Sequence, residues 1–163
     1  MNARSTLHLL GLVGCCGLLV TRNANAQVPT GSQVGVRIDG IASRAPSLQA
    51  AASLNATAGL YLRLETSVGG GAAWKDGRSY GAARIDGVAR FTLDPFRESK
   101  HALYGLGGVS AMYDGYEKWR PRLLVGFGVE GRVAHGRVMA FELALGGGAR
   151  VGVVLRRARP FGR

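Results

Sequence analysis

The feature that most constrains the fold is a two-residue alternation of apolar and polar side chains, which runs through most of the chain after Val34. The alternation is sustained over segments longer than ordinary soluble strands, which average about 5 to 6 residues. The clearest segments are residues 34–39, 60–68, 83–93, 123–133 and 139–155. Because successive side chains of a strand point to opposite faces, these segments predict an all-β fold with one apolar and one charged face.

Residues typical of turns separate the segments. They stand at Asp76-Gly77, Asp94-Pro95, Asp114-Gly115 and His135-Gly136. Short connections of this kind make hairpins, so neighbouring strands are antiparallel. We therefore predict a small antiparallel up-and-down β-barrel with six clear strands, possibly eight, since bacterial single-chain barrels usually begin at eight.

Three regions leave the number of strands open. Residues 102–113 are predicted to form a strand, although Leu106 and Met112 fall on its polar face. Residues 45–56, which are rich in Ala, Ser and Pro, are predicted to be the longest loop or a short helix. The runs 137–155 and 58–74 each contain a glycine triplet at which a long strand could bend.

Alternation fits both a membrane barrel and a soluble barrel, because each has one apolar and one polar face. Here the apolar positions mix Leu, Val and Phe with many Ala and Gly, whereas a soluble core needs bulky side chains at crystal-like density. Most segments approach the about 9 to 11 residues that a tilted membrane strand requires. Aromatic residues gather near segment ends, as in interfacial girdles, at Trp74, Tyr80, Phe91, Phe96, Tyr113, Tyr116 and Trp119. These features favour an apolar face turned outward to lipid.

The polar face repeats acid and base two residues apart, as in Arg37 with Asp39 and Arg84 with Asp86. If this face lines a narrow lumen, the charges must be paired across strands, because an isolated buried ion costs several kcal/mol of desolvation. The alternative is a solvated outer surface with weak ion pairs. The predicted lumen ion-pair residues are Arg37, Asp39, Arg63, Glu65, Arg84, Asp86, Arg90, Glu130, Arg132, Glu142 and Arg150.

The N-terminus predicts export. Arg4 precedes an apolar run at residues 7–20, and Ala24-Asn25-Ala26 before Gln27 has the small-x-small form that signal peptidase cuts. Residues 1–26 are therefore a predicted signal peptide cleaved between Ala26 and Gln27, and residues 27–163 the barrel domain. Leu12-Val13-Gly14-Cys15 also fits a lipobox, in which Cys15 would be lipidated.

Removal of 26 of the 163 residues takes away Arg4 and Arg22 and no acid, so 19 basic residues face 10 acids, a net charge of +9. In an exported protein this balance points to anionic partners such as lipopolysaccharide or phospholipid head groups, or serves only solubility, and does not point to nucleic acid.

Three stretches, HALYGLGGVSAMY, RPRLLVGFGVEGRV and RVMAFELALGG, carry a resemblance to a known family. They resemble the C-terminal strands of small outer-membrane β-barrel proteins of Gram-negative bacteria, which carry a tyrosine followed by leucine-glycine-glycine, a glycine-alternating strand, and an aromatic followed by glutamate, here Phe141-Glu142. The resemblance covers roughly residues 80–155. It implies a porin-like architecture in the outer membrane, with the barrel assembly machinery and outer-membrane lipids as partners.

Motifs for catalysis do not fit their surroundings. Residues 126–131 match the G-x-G-x-x-G dinucleotide fingerprint, but an alternating strand and not a helix follows. His101 and His135 have no metal-ligand spacing, and no cofactor is implied. We therefore expect an outer-membrane barrel with a structural or surface role, a lumen filled by paired charges and no catalysis. The alternatives are a soluble periplasmic lipocalin-like barrel that binds a lipid or hydrophobic ligand and, further removed, a lipoprotein enzyme.

Overall fold

The computed structural model describes residues 32–94, 101–115 and 118–157, which form a closed barrel of eight antiparallel strands. Each strand pairs with its neighbours in sequence, and β1 closes the barrel against β8. The strands are β1 Ser32–Ala42, β2 Ser47–Thr57, β3 Leu62–Lys75, β4 Arg78–Thr92, β5 Ala102–Tyr113, β6 Arg120–Glu130, β7 Arg137–Leu145 and β8 Ala149–Arg157. The predicted all-β up-and-down barrel is confirmed, with eight strands and not six. The predicted signal peptide with its Ala26–Gln27 cleavage point, and Cys15, lie outside the described residues.

The two additional strands come from different regions. The run 137–155 does divide at Gly146–Gly148, into β7 and β8, where Gly147 and Gly148 adopt positive φ angles. The run 58–74 does not divide, because β3 continues from Leu62 through its glycine triplet to Lys75. The prediction of a loop or short helix at residues 45–56 is wrong. These residues form most of β2, in which small polar side chains face inward and Ala and Leu face outward.

The tight turns lie where the sequence predicts them. Asp76 and Gly77 both have positive φ, at 50° and 73°, which is the geometry of a two-residue turn that matches the twist of a hairpin. His135 and Gly136 repeat it, and Ala134 and Arg137 exchange two backbone hydrogen bonds across that turn. These turns fix the register of β3 with β4 and hold the start of β7.

The two faces of the barrel have opposite chemistry. Large apolar side chains of every strand point outward, and Leu62, Ile85 and Phe127 are 36%, 48% and 60% exposed. Charged and polar side chains point inward and are buried. Residues 102–113 form a strand, as predicted. Leu106, the apolar residue on its polar face, points inward and is buried. The barrel is therefore polar inside and apolar outside.

Aromatic side chains lie on the outer face near both ends. Trp74 is exposed at one end, where Tyr113 stacks on Trp119 with ring centroids 5.8 Å apart. At the other end Tyr61 stacks on Phe91 at 5.7 Å. Tyr80 is half-buried, and Phe96 and Tyr116 are outside the described residues.

We name the two ends by their connections. The terminal mouth contains Ser32, Arg157 and the described residues 58–61, 93–94, 101 and 131–136, and the distal mouth contains the described residues 43–46, 76–77, 114–115, 118–119 and 146–148. No helix in the described part of the chain is long and apolar enough to span a membrane.

Candidate functional site

Most of the predicted charged site residues come together in the interior of the barrel. The structure places ten of the eleven predicted lumen residues on the inner face, namely Arg37, Asp39, Arg63, Glu65, Arg84, Asp86, Arg90, Glu130, Glu142 and Arg150. Arg63 is half-buried at the terminal mouth, and the others are buried.

Arg132 does not line the lumen and is a correction to the prediction. It is exposed in the connection between β6 and β7. The ladder of β6 with β7 ends at Glu130 paired with Ala140, so the strict alternation that would turn Arg132 inward stops there. The two-residue spacing of Arg132 from Glu130 therefore does not place the two side chains on the same face.

Asp39 is the centre of one group of ion pairs. Its carboxylate accepts hydrogen bonds from Arg37 on the same strand at 2.8 Å, from Arg84 of β4, and from Arg150 of β8 at 3.2 Å. Asp39 and Arg84 are both fully buried. One acid on β1 is thus held by three arginines from three strands.

Asp86 extends this group across β3, β4 and β5. It accepts hydrogen bonds from Arg150 at 2.9 Å, Ser67 at 3.0 Å and Ser110 at 2.6 Å, and its carboxylate lies 3.5 Å from the guanidinium of Arg84. The first group thus contains two acids, Asp39 and Asp86, and three arginines, Arg37, Arg84 and Arg150, in direct contact.

Glu142 and Glu65 form the second group, nearer the terminal mouth. Glu142 lies 2.8 Å from Arg37 and 2.7 Å from Arg90, and accepts a hydrogen bond from the Tyr104 hydroxyl at 2.5 Å. Glu65 pairs with Arg90 and lies 3.2 Å from Arg37. Arg37 thus joins both groups into one network.

Two members of the network were not among the predicted site residues. Arg156 is buried and lies 2.6 Å from Glu130, the partner that the sequence assigned to Arg132. Tyr104 lies between two guanidinium groups, with Arg90 5.5 Å and Arg156 5.6 Å from its ring centroid. Alternation places both on the polar face, Arg156 on β8 and Tyr104 with Leu106 on β5, but it does not indicate their partners, which come from other strands.

Among the described residues five carboxylates are buried, and each contacts at least one arginine. The buried acids are Asp39, Glu65, Asp86, Glu130 and Glu142, and the buried arginines are Arg37, Arg84, Arg90, Arg150 and Arg156. Equal numbers of the two signs meet the requirement that buried ions be paired, while Arg84, Arg90 and Arg156 each keep at least one guanidinium nitrogen without a hydrogen-bond partner among the described residues. The remaining inner surface is filled by an apolar cluster that includes Tyr104, Leu106, Leu124 and Val154. The arrangement fills and neutralises the lumen.

Glycines at inward positions are required by this filling. A methyl group at Gly152 would overlap the Asp39 carboxylate, and one at Gly128 would overlap the ring of Tyr104. Gly126 and Gly128 belong to the G-x-G-x-x-G sequence, and both lie on strand β6. Their lack of a side chain leaves room for the inward side chains of other strands. In contrast, a methyl group at the outward Gly40 meets nothing within 4 Å.

We expect Gly152→Ala to lower the free energy of unfolding by about 1 to 3 kcal/mol, because overpacking displaces the Asp39 carboxylate from its arginines. Gly40→Ala, on the adjacent strand and the opposite face, is the matched control and should be neutral or slightly stabilising. The measurement is the urea midpoint of each variant. Unfolding is monitored by the different gel mobilities of the folded and unfolded forms. Equal midpoints for the two variants would contradict the filled lumen.

Metal binding has no structural support in the described ranges, where no three His, Cys, Asp or Glu residues are placed to hold an ion. No protein-family model matches the sequence, and no curated protein is significantly similar to it. The resemblance to small outer-membrane barrels therefore stays a prediction from the residues.

Proposed function

We propose that this chain is an integral outer-membrane β-barrel protein with a structural or surface role, no catalytic activity and no conducting pore. Its partners are then outer-membrane lipids and lipopolysaccharide, with the barrel assembly machinery acting on it during insertion. The observation that carries the proposal is the direction of the two faces: large apolar side chains on the outside of all eight strands, and paired charges within.

The extent of the outer apolar surface supports lipid as its surroundings. Soluble monomers rarely expose contiguous apolar patches larger than a few hundred Å². Here exposed Val, Leu, Ile, Met and Phe side chains continue around the barrel from Val36 on β1 to Val153 on β8. Exposure of such a surface to water is unfavourable, whereas contact with acyl chains carries no hydrophobic penalty.

The height of this surface also suits a bilayer. Along β4, the position paired with Tyr113 is Ala83, and Phe91 follows eight residues later, about 26 Å at 3.3 Å per residue. A strand tilt of about 35 to 45° shortens this distance to about 20 Å along the barrel axis, somewhat less than the about 25 Å apolar band typical of outer-membrane barrels. The aromatic pairs Tyr113–Trp119 and Tyr61–Phe91 then fall at its two edges.

The filled lumen supports a role without transport. Eight strands enclose a space just wide enough for side chains. Arg37, Arg90 and Glu142 meet across it in direct contact, so a solute would have to displace several ion pairs to pass. The same filling disfavours the soluble lipocalin-like alternative, since a site for a hydrophobic ligand needs an apolar interior.

Fractionation of the full chain expressed in a Gram-negative host tests the proposal. We expect the protein in the carbonate-washed membrane fraction, with an unheated band that migrates differently from the heated one. The chain without residues 1–26 is the control and should remain in the cytoplasm. Recovery of the full chain in the osmotic-shock fluid would overturn the membrane assignment and favour the periplasmic binding barrel.

A further inference from the structure

The outer face of the barrel carries almost no charge. Alternation directs the charged side chains of the eight strands into the lumen or its mouths, with two exceptions. The exceptions are Arg137, the first residue of β7, and Arg157, the last residue of β8. Both are exposed, and both lie on the same face as the outward Met139 and Leu155. The charge on the outer face of the described strands is therefore confined to one place.

The two arginines are direct cross-strand partners at the end of the β7–β8 ladder. Side chains at directly opposite positions have Cβ atoms about 4.5 to 5.5 Å apart, and like charges placed there destabilise a sheet. Neither guanidinium forms an ion pair or a side-chain hydrogen bond with another described residue. The six residues that follow Arg157 in the sequence include no acidic side chain. Within the described part of the protein the pair is thus a concentrated positive charge without a counter-ion.

Apolar side chains continue from this pair along the same two strands. The next outward pair is Met139 with Leu155, and Phe141 with Val153 follows it. Met139 is 63% exposed, so this surface is open to a ligand. A ligand held by the two guanidinium groups would therefore have a charged contact at the rim and an apolar contact beside it. This combination suits an amphiphile whose anionic head is joined closely to apolar chains, and it does not suit a free anion.

From this arrangement we propose that Arg137 and Arg157 bind the phosphodiester of an anionic glycerophospholipid, whose acyl chains lie along the adjacent apolar side chains. A phosphodiester has two unesterified oxygens, one for each guanidinium, and arginine is well suited to donate hydrogen bonds to phosphate. Phosphatidylglycerol is favoured over phosphatidylethanolamine, because the ammonium of the latter adds positive charge beside the pair. The inference rests on the proposed function, since it places this rim of the barrel at the level of the lipid head groups.

The test is a titration of the refolded full-length barrel in non-ionic detergent, in which native mass spectrometry measures the fraction of barrel that carries a ligand. The probes are inorganic phosphate and three lipids with identical acyl chains, namely phosphatidylglycerol, phosphatidylethanolamine and diacylglycerol. We expect phosphatidylglycerol to bind about tenfold more tightly than phosphatidylethanolamine. Diacylglycerol lacks the phosphate and inorganic phosphate lacks the acyl chains, so both should bind more weakly than phosphatidylglycerol by about tenfold or more.

Variants locate the site. Arg137→Gln and Arg157→Gln should each weaken phosphatidylglycerol about tenfold and remove its advantage over phosphatidylethanolamine. Arg44→Gln is the matched control, because Arg44 is an exposed arginine in the β1–β2 connection at the distal mouth and its replacement makes the same change in net charge. Arg137→Lys keeps the charge but not the planar guanidinium, and should recover only part of the affinity. All three positions are exposed, and gel mobility checks that each variant folds.

The outcomes are distinct. Equal affinities of Arg44→Gln and Arg137→Gln for phosphatidylglycerol, or equal binding of phosphatidylglycerol and diacylglycerol, overturn the inference. Tighter binding of lipid A than of phosphatidylglycerol through the same two arginines overturns the choice of a glycerophospholipid. The titration is made in detergent and is independent of the cell fractionation that tests the membrane assignment. A chain recovered in the washed membrane whose lipid affinity is unchanged by Arg137→Gln would keep the proposed function and refute the lipid site.

Discussion

Replacing Asp39 by asparagine is expected to lower the free energy of unfolding by about 3 to 5 kcal/mol, since removal of one partner from a buried ion pair leaves uncompensated charge. Here the loss is concentrated, because Arg37, Arg84 and Arg150 all contact this one carboxylate. The measurement is the urea midpoint of the barrel refolded into phospholipid vesicles. The control is Asp76→Asn, the same chemical change in an exposed turn where asparagine tolerates the positive φ.

A double variant tests whether the penalty comes from unpaired arginine. Asp39→Asn combined with Arg84→Met removes an acid and a base together. It should be more stable than the sum of the two single changes predicts, because fewer uncompensated charges remain. Strict additivity of the two effects would show that Asp39 and Arg84 do not act as a pair.

Placing arginine at the outward position of Ile38 should destabilise the barrel in vesicles by about 2 to 4 kcal/mol, the cost of this side chain near a bilayer midplane. Ile38 lies midway along β1 and is 59% exposed. The matched control is Ser79→Arg, at an exposed position at the end of β4 beside the distal mouth, where the cost falls to about 0 to 1 kcal/mol.

The pair of variants separates lipid from water as the outer medium. On a barrel surrounded by water, both arginines would be surface substitutions with effects within about 0.5 kcal/mol. Equal stabilities of Ile38→Arg and Ser79→Arg in vesicles would therefore argue against insertion. The same measurement in detergent micelles reports whether either variant folds at all.

The sequence predicts the fold well where the two faces differ strongly. The strands β1, β3, β4, β6 and the β7–β8 run combine large apolar residues with Arg, Asp or Glu, and alternation finds them. It fails at β2, where Ala50 and Ala52 alternate with Gln49 and Ser53, because small apolar and small polar side chains give little contrast. In the membrane setting that we propose, an outer surface tolerates alanine, so strands of such low contrast are expected there.

The sequence predicts which residues make up the candidate site, but it does not predict which of them contact one another. Alternation indicates which charged residues face inward, but the partners are set by closure of the barrel and by strand register. Glu130 illustrates this, since its partner is Arg156 from the last strand and not the nearby Arg132. Leu106 is a second case. It breaks the expected pattern of polar residues on the inner face, because part of the lumen is filled by an apolar cluster to which Leu106 belongs.

The pairing of β1 with β8 places a condition on the order of assembly. Asp39 emerges early in synthesis, yet Arg150, one of its three cations, belongs to the final strand, and Glu142, which binds Arg37, belongs to the one before. A sheet that lacks the last two strands keeps the pairs of Asp39 with Arg37 and Arg84 but has neither Arg150 nor Glu142 to complete them. Closing the ring therefore also completes the neutralisation of its interior, and a barrel without its last two strands would hold a charged and partly unpaired inner face.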